Sequence, residues 1–187
     1  LKEKFDKMQG CIGIAHTRWA THGGVNRENA HPHLSNNKEF AVVHNGIISN
    51  YQEIREKLLT KGVVFESMTD TEVFANLIEY NYLKFDDLEK AFLSSIQQIE
   101  GSFSIVMLSS HDPEHLYCVK NESPLLLGLG DGCNYVGSDL NAFSDYTKNA
   151  IVLDDGEYVI LGRSNYQIRK VDNRVCVEKK VIKIEWD

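Results

Sequence analysis

The chain has 187 residues, of which 42% are hydrophobic and 25% charged, and it carries a net charge of −7. These values fit one globular domain of ordinary size. Its apolar runs, such as Pro124 to Leu127, fall far short of the roughly 20 residues a membrane helix needs, and no dense Lys/Arg cluster supplies the cationic footprint of a nucleic-acid binder.

Residues 11–20 begin with the apolar/polar alternation of a strand. Gly23 to Lys38 is polar and loop-like. Phe40 to His44 is β-rich and is expected to stop at the turn signal Asn45-Gly46. A helix should then start at Asn50, with Glu53 three residues on as in a capping box, and end near Gly62. Tyr51, Ile54 and Leu58 share one of its faces. Val63 to Phe65 is short and β-like. Thr69 with Glu72 opens a second helix, with Val73, Leu77 and Tyr80 on one face. Asp86 with Glu89 opens a third, with Leu88, Phe92, Ile96 and Ile99 as its buried stripe and Gly101 after it.

From Ser102 the period changes to two. Ser102 to Leu108, Leu116 to Val119, Leu125 to Leu129, Tyr135 to Gly137, Ala150 to Leu153, Glu157 to Leu161 and Tyr166 to Ile168 read as strands. Asp155-Gly156 and Asp172-Asn173 are hairpin-turn signals, and Arg174 to Ile184 is a last β-rich segment. Grouped helices followed by antiparallel strands predict one α+β unit over residues 1–187. No internal repeat, low-complexity tract or linker divides it.

Cys11, Cys118, Cys133 and Cys176 form no CxxC pair. Their spacing suits reduced, buried thiols of a cytoplasmic protein better than a disulfide framework. No signal peptide is visible, although the chain opens at Leu1 rather than Met.

Five of the seven histidines, His16, His22, His31, His33 and His44, lie in the first 44 residues. They form no HExxH pattern, so hydrogen-bonded structural histidines are favoured over a metal site. His111 and His115 flank a Pro-containing turn and are expected to be solvated. Ala15 to Gly23 gathers Arg18, Trp19, Thr21 and His22 at a strand end. Arg18 can clamp a carboxylate in a bidentate pair or form an internal Arg–Asp bridge; Trp19 can equally be core. Asn45-Gly46 offers a side-chain amide beside a backbone N–H, a two-donor oxyanion hole, or is simply a turn. Asp70 is either a helix-start carboxylate or an acceptor for a substrate ammonium. An Arg and an Asp of this kind together would hold the two ends of an α-amino acid.

Taken in order, His16-Thr-Arg-Trp-Ala-Thr-His-Gly23, Asn29-Ala-His-Pro-His33, His44-Asn-Gly-Ile-Ile48 with Asn50, Thr69-Asp-Thr-Glu72, Ser123-Pro-Leu-Leu126 and Ser138-Asp139 resemble the glutaminase domain of the glutamine–fructose-6-phosphate aminotransferases, over roughly residues 10–160. The resemblance implies an N-terminal-nucleophile hydrolase fold, a four-layer αββα sandwich with two antiparallel sheets between helical layers. It implies hydrolysis of L-glutamine to glutamate and ammonia without a cofactor. A sugar-isomerase domain would use the ammonia to make glucosamine 6-phosphate, in a full-length enzyme that works as an oligomer. By the same resemblance Arg18 holds the α-carboxylate of glutamine, Thr21 and His22 line the pocket, and Asp70 receives the α-ammonium. Asn45 and Gly46 form the oxyanion hole, and Trp19 gates the ammonia.

In that family the nucleophile is an amino-terminal cysteine whose own α-amine, with a pKa of about 7.7–8.0, serves as general base. That Cys-led opening segment does not occur in these 187 residues, and Leu1 to Gly10 resemble its end. Cys11, the cysteine nearest the pocket motif, reads as a buried strand residue. The expectation is an N-terminally truncated domain that keeps most of the glutamine pocket but does not hydrolyse glutamine by itself. Two other readings remain: a glutamine-binding or complementation module, and a metal protein built on the histidines.

Overall fold

A computed structural model describes residues 10–17 and 24–185. Its larger sheet has six strands in the order β1-β2-β3-β4-β8-β9, all pairs antiparallel. These are His33–Leu34 (β1), Phe40–Ile48 (β2), Gly101–Ser109 (β3), Asp112–Asn121 (β4), Glu157–Gly162 (β8) and Tyr166–Lys170 (β9). The smaller sheet has the order β10-β7-β5-β6, built from Ile182–Lys183 (β10), Asn149–Val152 (β7), Leu126–Leu129 (β5) and Asn134–Gly137 (β6). Three helices lie between β2 and β3 in sequence: Tyr51–Leu59 (α1), Asp70–Phe85 (α2) and Leu88–Ile96 (α3).

Strand alternation sorts the side chains into layers. Phe40, Val42, Phe103, Ile105, Met107, Tyr117, Val119 and Tyr158 face the helices, where Phe74, Leu77, Ile78 and Phe92 meet them. The residues of opposite parity, Val43, Val106, Cys118, Val159 and Leu161, face the smaller sheet and pack on Leu127, Ile151 and Leu153. The outer face of the smaller sheet carries Ala150, on which Phe143 packs from the end of a 3-10 turn at Leu140–Ala142. Gly128 makes room there, because a Cβ at that position would lie 2.5 Å from the Phe143 ring. Each large side chain buried this way contributes about 1.5–3 kcal/mol. The predicted α+β class and its two antiparallel sheets are what the chain adopts.

Several expected boundaries move. Residues 11–17 keep the alternating exposure of a strand, and Ile12 and Ile14 pack between the sheets. Yet they join no ladder among the described residues, and a strand is defined by its partner. Val63 and Phe65 pack on the helical core without becoming a strand. Asp86 ends α2 with a left-handed φ of 51°, and it is Asp87 that caps α3 through the Lys90 N–H. Asn50 precedes α1 without capping it; its amide instead bridges Gln98 O and the Glu100 N–H. Asp155-Gly156 closes no hairpin, because β7 and β8, on either side of it, belong to different sheets. Arg174 to Ile184 is a strap rather than a strand. It touches one sheet through the Arg169–Cys176 bridge and the other through β10.

Candidate active site

The site is built on the outer edge of β2. β1 is only two residues long and pairs with Ala41 and Val42, so among the described residues the rest of that edge meets side chains. There the His44 N–H donates to His31 Nδ1 at 3.4 Å and the Ile48 N–H donates to Asp70 Oδ2 at 2.9 Å. Gly46 lies between them with the same parity, facing away from β3.

This overturns the turn expected at Asn45-Gly46. β2 runs straight through it, with Asn45 opposite Ser104 and Gly46 opposite Phe103. The glycine has a different purpose. Its φ is +111°, and a Cβ would come within 2.0 Å of the Ser102 carbonyl oxygen, so neither conformation nor space admits a side chain. The Asn45 side chain meets His16 Nε2 through Oδ1 at 2.6 Å.

Asp70 stands at the first position of α2, where the unpaired N–H groups of the helix start favour a carboxylate. It is buried, with Oδ1 3.8 Å from His44 Nδ1. Thr69 caps the helix by accepting the Glu72 N–H at 3.2 Å, as the sequence signature predicts. Glu72 turns back and accepts the N–H groups of Glu66 and Ser67, both at 2.7 Å. The Met68 N–H donates to Asn29 Oδ1 at 3.1 Å, and this ties the loop before α2 to the loop before β1.

The described histidines join this network through hydroxyls and amides. Thr71 Oγ lies 3.2 Å from His31 Nε2 and 3.1 Å from His44 Nδ1. His33 Nε2 is 3.0 Å from Thr69 Oγ. The His16 ring stacks on His31 with centroids 4.4 Å apart. Among the described residues no three His, Cys, Asp or Glu side chains gather as a metal site. His111 is exposed, as expected, while it pairs with Glu39 and packs on Tyr82; His115 is half-buried and pairs with Asp112.

Of the residues singled out from sequence, Asn45, Gly46 and Asp70 come together around one strand edge. Arg18, Trp19, Thr21 and His22 lie outside the described residues. His16, Asn29 and Thr71 also join this network, and all three sit inside the quoted motifs without a sequence signal of their own.

The cysteines differ from expectation. All four are free thiols, but only Cys118 is buried. Cys11 and Cys133 line a cleft of about 640 Å³ together with His115, Leu161 and Gly162. The register places that cleft at the opposite end of the strands from Asn45, since His115 pairs with Gly162 whereas Gly46 pairs with Phe103 and Phe103 with Asn121. Cys176 bridges β9, at the far edge of the sheet from β2.

A glutamine amidotransferase domain model matches residues 16–145. The glutamine–fructose-6-phosphate aminotransferase (isomerizing) of Thermococcus kodakarensis is 46% identical over 182 residues, which make up 97% of this chain and 30% of that protein. The enzyme of the same name from Aquifex aeolicus is 48% identical over 175 residues, covering 94% of this chain and 29% of its own. The chain thus spans under a third of the length of these curated relatives. Among solved structures, the glutamine phosphoribosylpyrophosphate amidotransferase of B. subtilis superposes with a TM-score of 0.70 at 24% identity, over 86% of this chain and 35% of that one; at that identity the likeness concerns the fold. The matched span takes in the edge of β2 and the start of α2, and with it well over half of the sequence: the chain belongs to the glutamine amidotransferase domain family and has the N-terminal-nucleophile hydrolase fold.

Proposed function

We propose that this chain forms most of the glutamine pocket of a glutaminase domain, within an enzyme that passes the ammonia to fructose 6-phosphate. The observation that carries the reading is the edge of β2 beyond β1, which among the described residues pairs with no further strand. Asp70 there accepts a backbone N–H from Ile48, three residues from Asn45. Three residues of strand cover ~10 Å, about the span of a glutamine with a hydrogen bond at each end. In this reading Asp70 receives the α-ammonium. The Asn45 amide and the Gly46 N–H stabilise the oxyanion that forms when the side-chain amide of glutamine is attacked. Donors fixed in a rigid sheet need no reorganisation as that charge develops, which is why they accelerate the step. Arg18 clamps the α-carboxylate, Thr21 and His22 line the pocket, and Trp19 controls the ammonia exit toward an isomerase domain. The enzyme works in the cytoplasm as an oligomer.

The nucleophile comes from outside these 187 residues. Cys118 lies between the sheets, Cys11 and Cys133 at the other end of the strands and Cys176 at the other edge, so none of the four serves the Asn45 site. The test is calorimetric titration of the purified chain with L-glutamine, alongside ammonia release with and without a peptide supplying a Cys-led amino-terminal segment. Binding, with ammonia appearing only when the peptide is added, is expected. Binding without ammonia in either case would point to a glutamine-binding module, and the absence of binding would remove the reading.

A further inference from the structure

We infer that His16 is the positioning residue of the oxyanion hole: its Nε2–H holds the Asn45 amide in the one orientation that turns the Nδ2 donor toward the substrate. The inference rests on the proposed role of Asn45 and adds what makes that role work.

An asparagine amide is nearly symmetric in shape, and a half-turn exchanges its acceptor oxygen for its donor nitrogen. An oxyanion hole tolerates one orientation only, because an oxygen aimed at a developing negative charge repels it. Something must therefore break the symmetry of Asn45. His16 Nε2 lies 2.6 Å from Asn45 Oδ1. A carboxamide oxygen cannot donate, so the proton of this short contact belongs to the imidazole. With Oδ1 engaged, both Nδ2 protons remain for other partners.

The imidazole is itself held. It stacks on His31 at 4.4 Å with 26° between the planes. His31 is anchored at both nitrogens: Nδ1 accepts the His44 N–H, which leaves Nε2 to face Thr71 Oγ. The other nitrogen of His16, Nδ1, is buried with no hydrogen-bond partner among the described residues. A half-turn of the ring would keep the stack but put Cε1 where Nε2 lies, so only the present ring orientation reaches Asn45 with a nitrogen. The rigid start of α2 thus reaches the amide through Thr71, His31 and His16. Ordering of this kind is what separates a productive donor from one that spends half its time reversed.

The test is a double-mutant cycle in the intact enzyme that carries this chain. Asn45→Ala is expected to lower kcat for glutamine hydrolysis about 10²–10³-fold. His16→Phe keeps the stacked ring but loses the donor; it is expected to lower kcat about tenfold and leave KM within about twofold, as for an interaction felt mainly in the transition state. In the Asn45→Ala background the same His16→Phe change should alter kcat by less than about twofold. His16→Gln, which still carries an N–H donor, should recover most of the loss. If His16→Phe does not fold, His16→Met takes its place in the cycle. A full tenfold loss repeated in the Asn45→Ala background, or no loss in His16→Phe alone, overturns the inference while leaving the oxyanion assignment standing. An unchanged kcat in Asn45→Ala overturns both.

Discussion

Asp70 and Ile48 are joined across the boundary between a helix start and a strand edge, with the carboxylate taking the strand N–H at 2.9 Å. The bond fixes one oxygen and leaves Oδ1, near His44 and Thr71, as the oxygen with spare acceptor capacity. Asp70→Asn keeps the shape and removes the charge. A charge-assisted hydrogen bond to an ammonium is about twice as strong as a neutral one, so glutamine affinity should fall at least about tenfold, or ~1.4 kcal/mol. Titration with glutamine measures it; an affinity equal to that of the parent would show that Asp70 does not hold the substrate.

Gly46→Ala should unfold the site rather than tune it. The new methyl would sit 2.0 Å from the Ser102 carbonyl oxygen at a φ of +111°, and both β2 and β3 would have to move. A loss of about 3 kcal/mol or more is expected, since the clash adds to the backbone strain of about 1–3 kcal/mol. Urea denaturation of the two proteins decides it, and coincident midpoints would contradict the structure.

The strap after β9 gives a pH signature. Burial by itself would raise the carboxyl pKa of Glu157, but hydrogen bonds from the Asp154 N–H, Lys179 and Lys170 outweigh it and hold the group below its usual value. The Asp154 carboxyl is lowered mainly by its hydrogen bond to Lys179. A carboxyl whose pKa is depressed on folding contributes stability above its unfolded pKa and loses it as pH falls through the folded one. The loss therefore belongs to the range below about pH 4.5. Lys179→Met removes the amine that joins Glu157 and Asp154. It should cost about 1–3 kcal/mol at pH 7 and shift the acid loss of stability to higher pH. Melting temperatures between pH 3 and 7 would show this, and parallel curves for the two proteins would rule it out.

Thiol chemistry distinguishes one cysteine from three. Burial raises the Cys118 thiol pKa well above that of a free cysteine, whereas Cys11, Cys133 and Cys176 are exposed. Iodoacetamide at pH 8 should label those three in the native protein and Cys118 only after unfolding, because the thiolate is the reactive form. Rapid native labelling of Cys118, read by peptide mass spectrometry, would mean that the two sheets do not pack as described.

Local rules were enough to reveal much of this protein. The Thr69/Glu72 cap, the stripe of Phe92, Ile96 and Ile99 and the alternation of β3 and β4 are set within a few residues of themselves, and the structure has them where the pattern places them. The motifs also announced Asn45, Gly46 and Asp70 as a group. What sequence could not give is partnership. Asn45-Gly46 reads as a turn until β3 lies alongside and makes it the middle of a strand. Residues 11–20 read as the beginning of a strand, yet no ladder takes in 11–17 among the described residues. Asp155-Gly156 reads as a hairpin until its two flanking strands enter different sheets. His16 reads as one histidine among five until a contact across 29 residues sets it against Asn45. A hydrogen-bond partner distant in sequence leaves no periodic trace in either segment, so such choices belong to the tertiary structure alone.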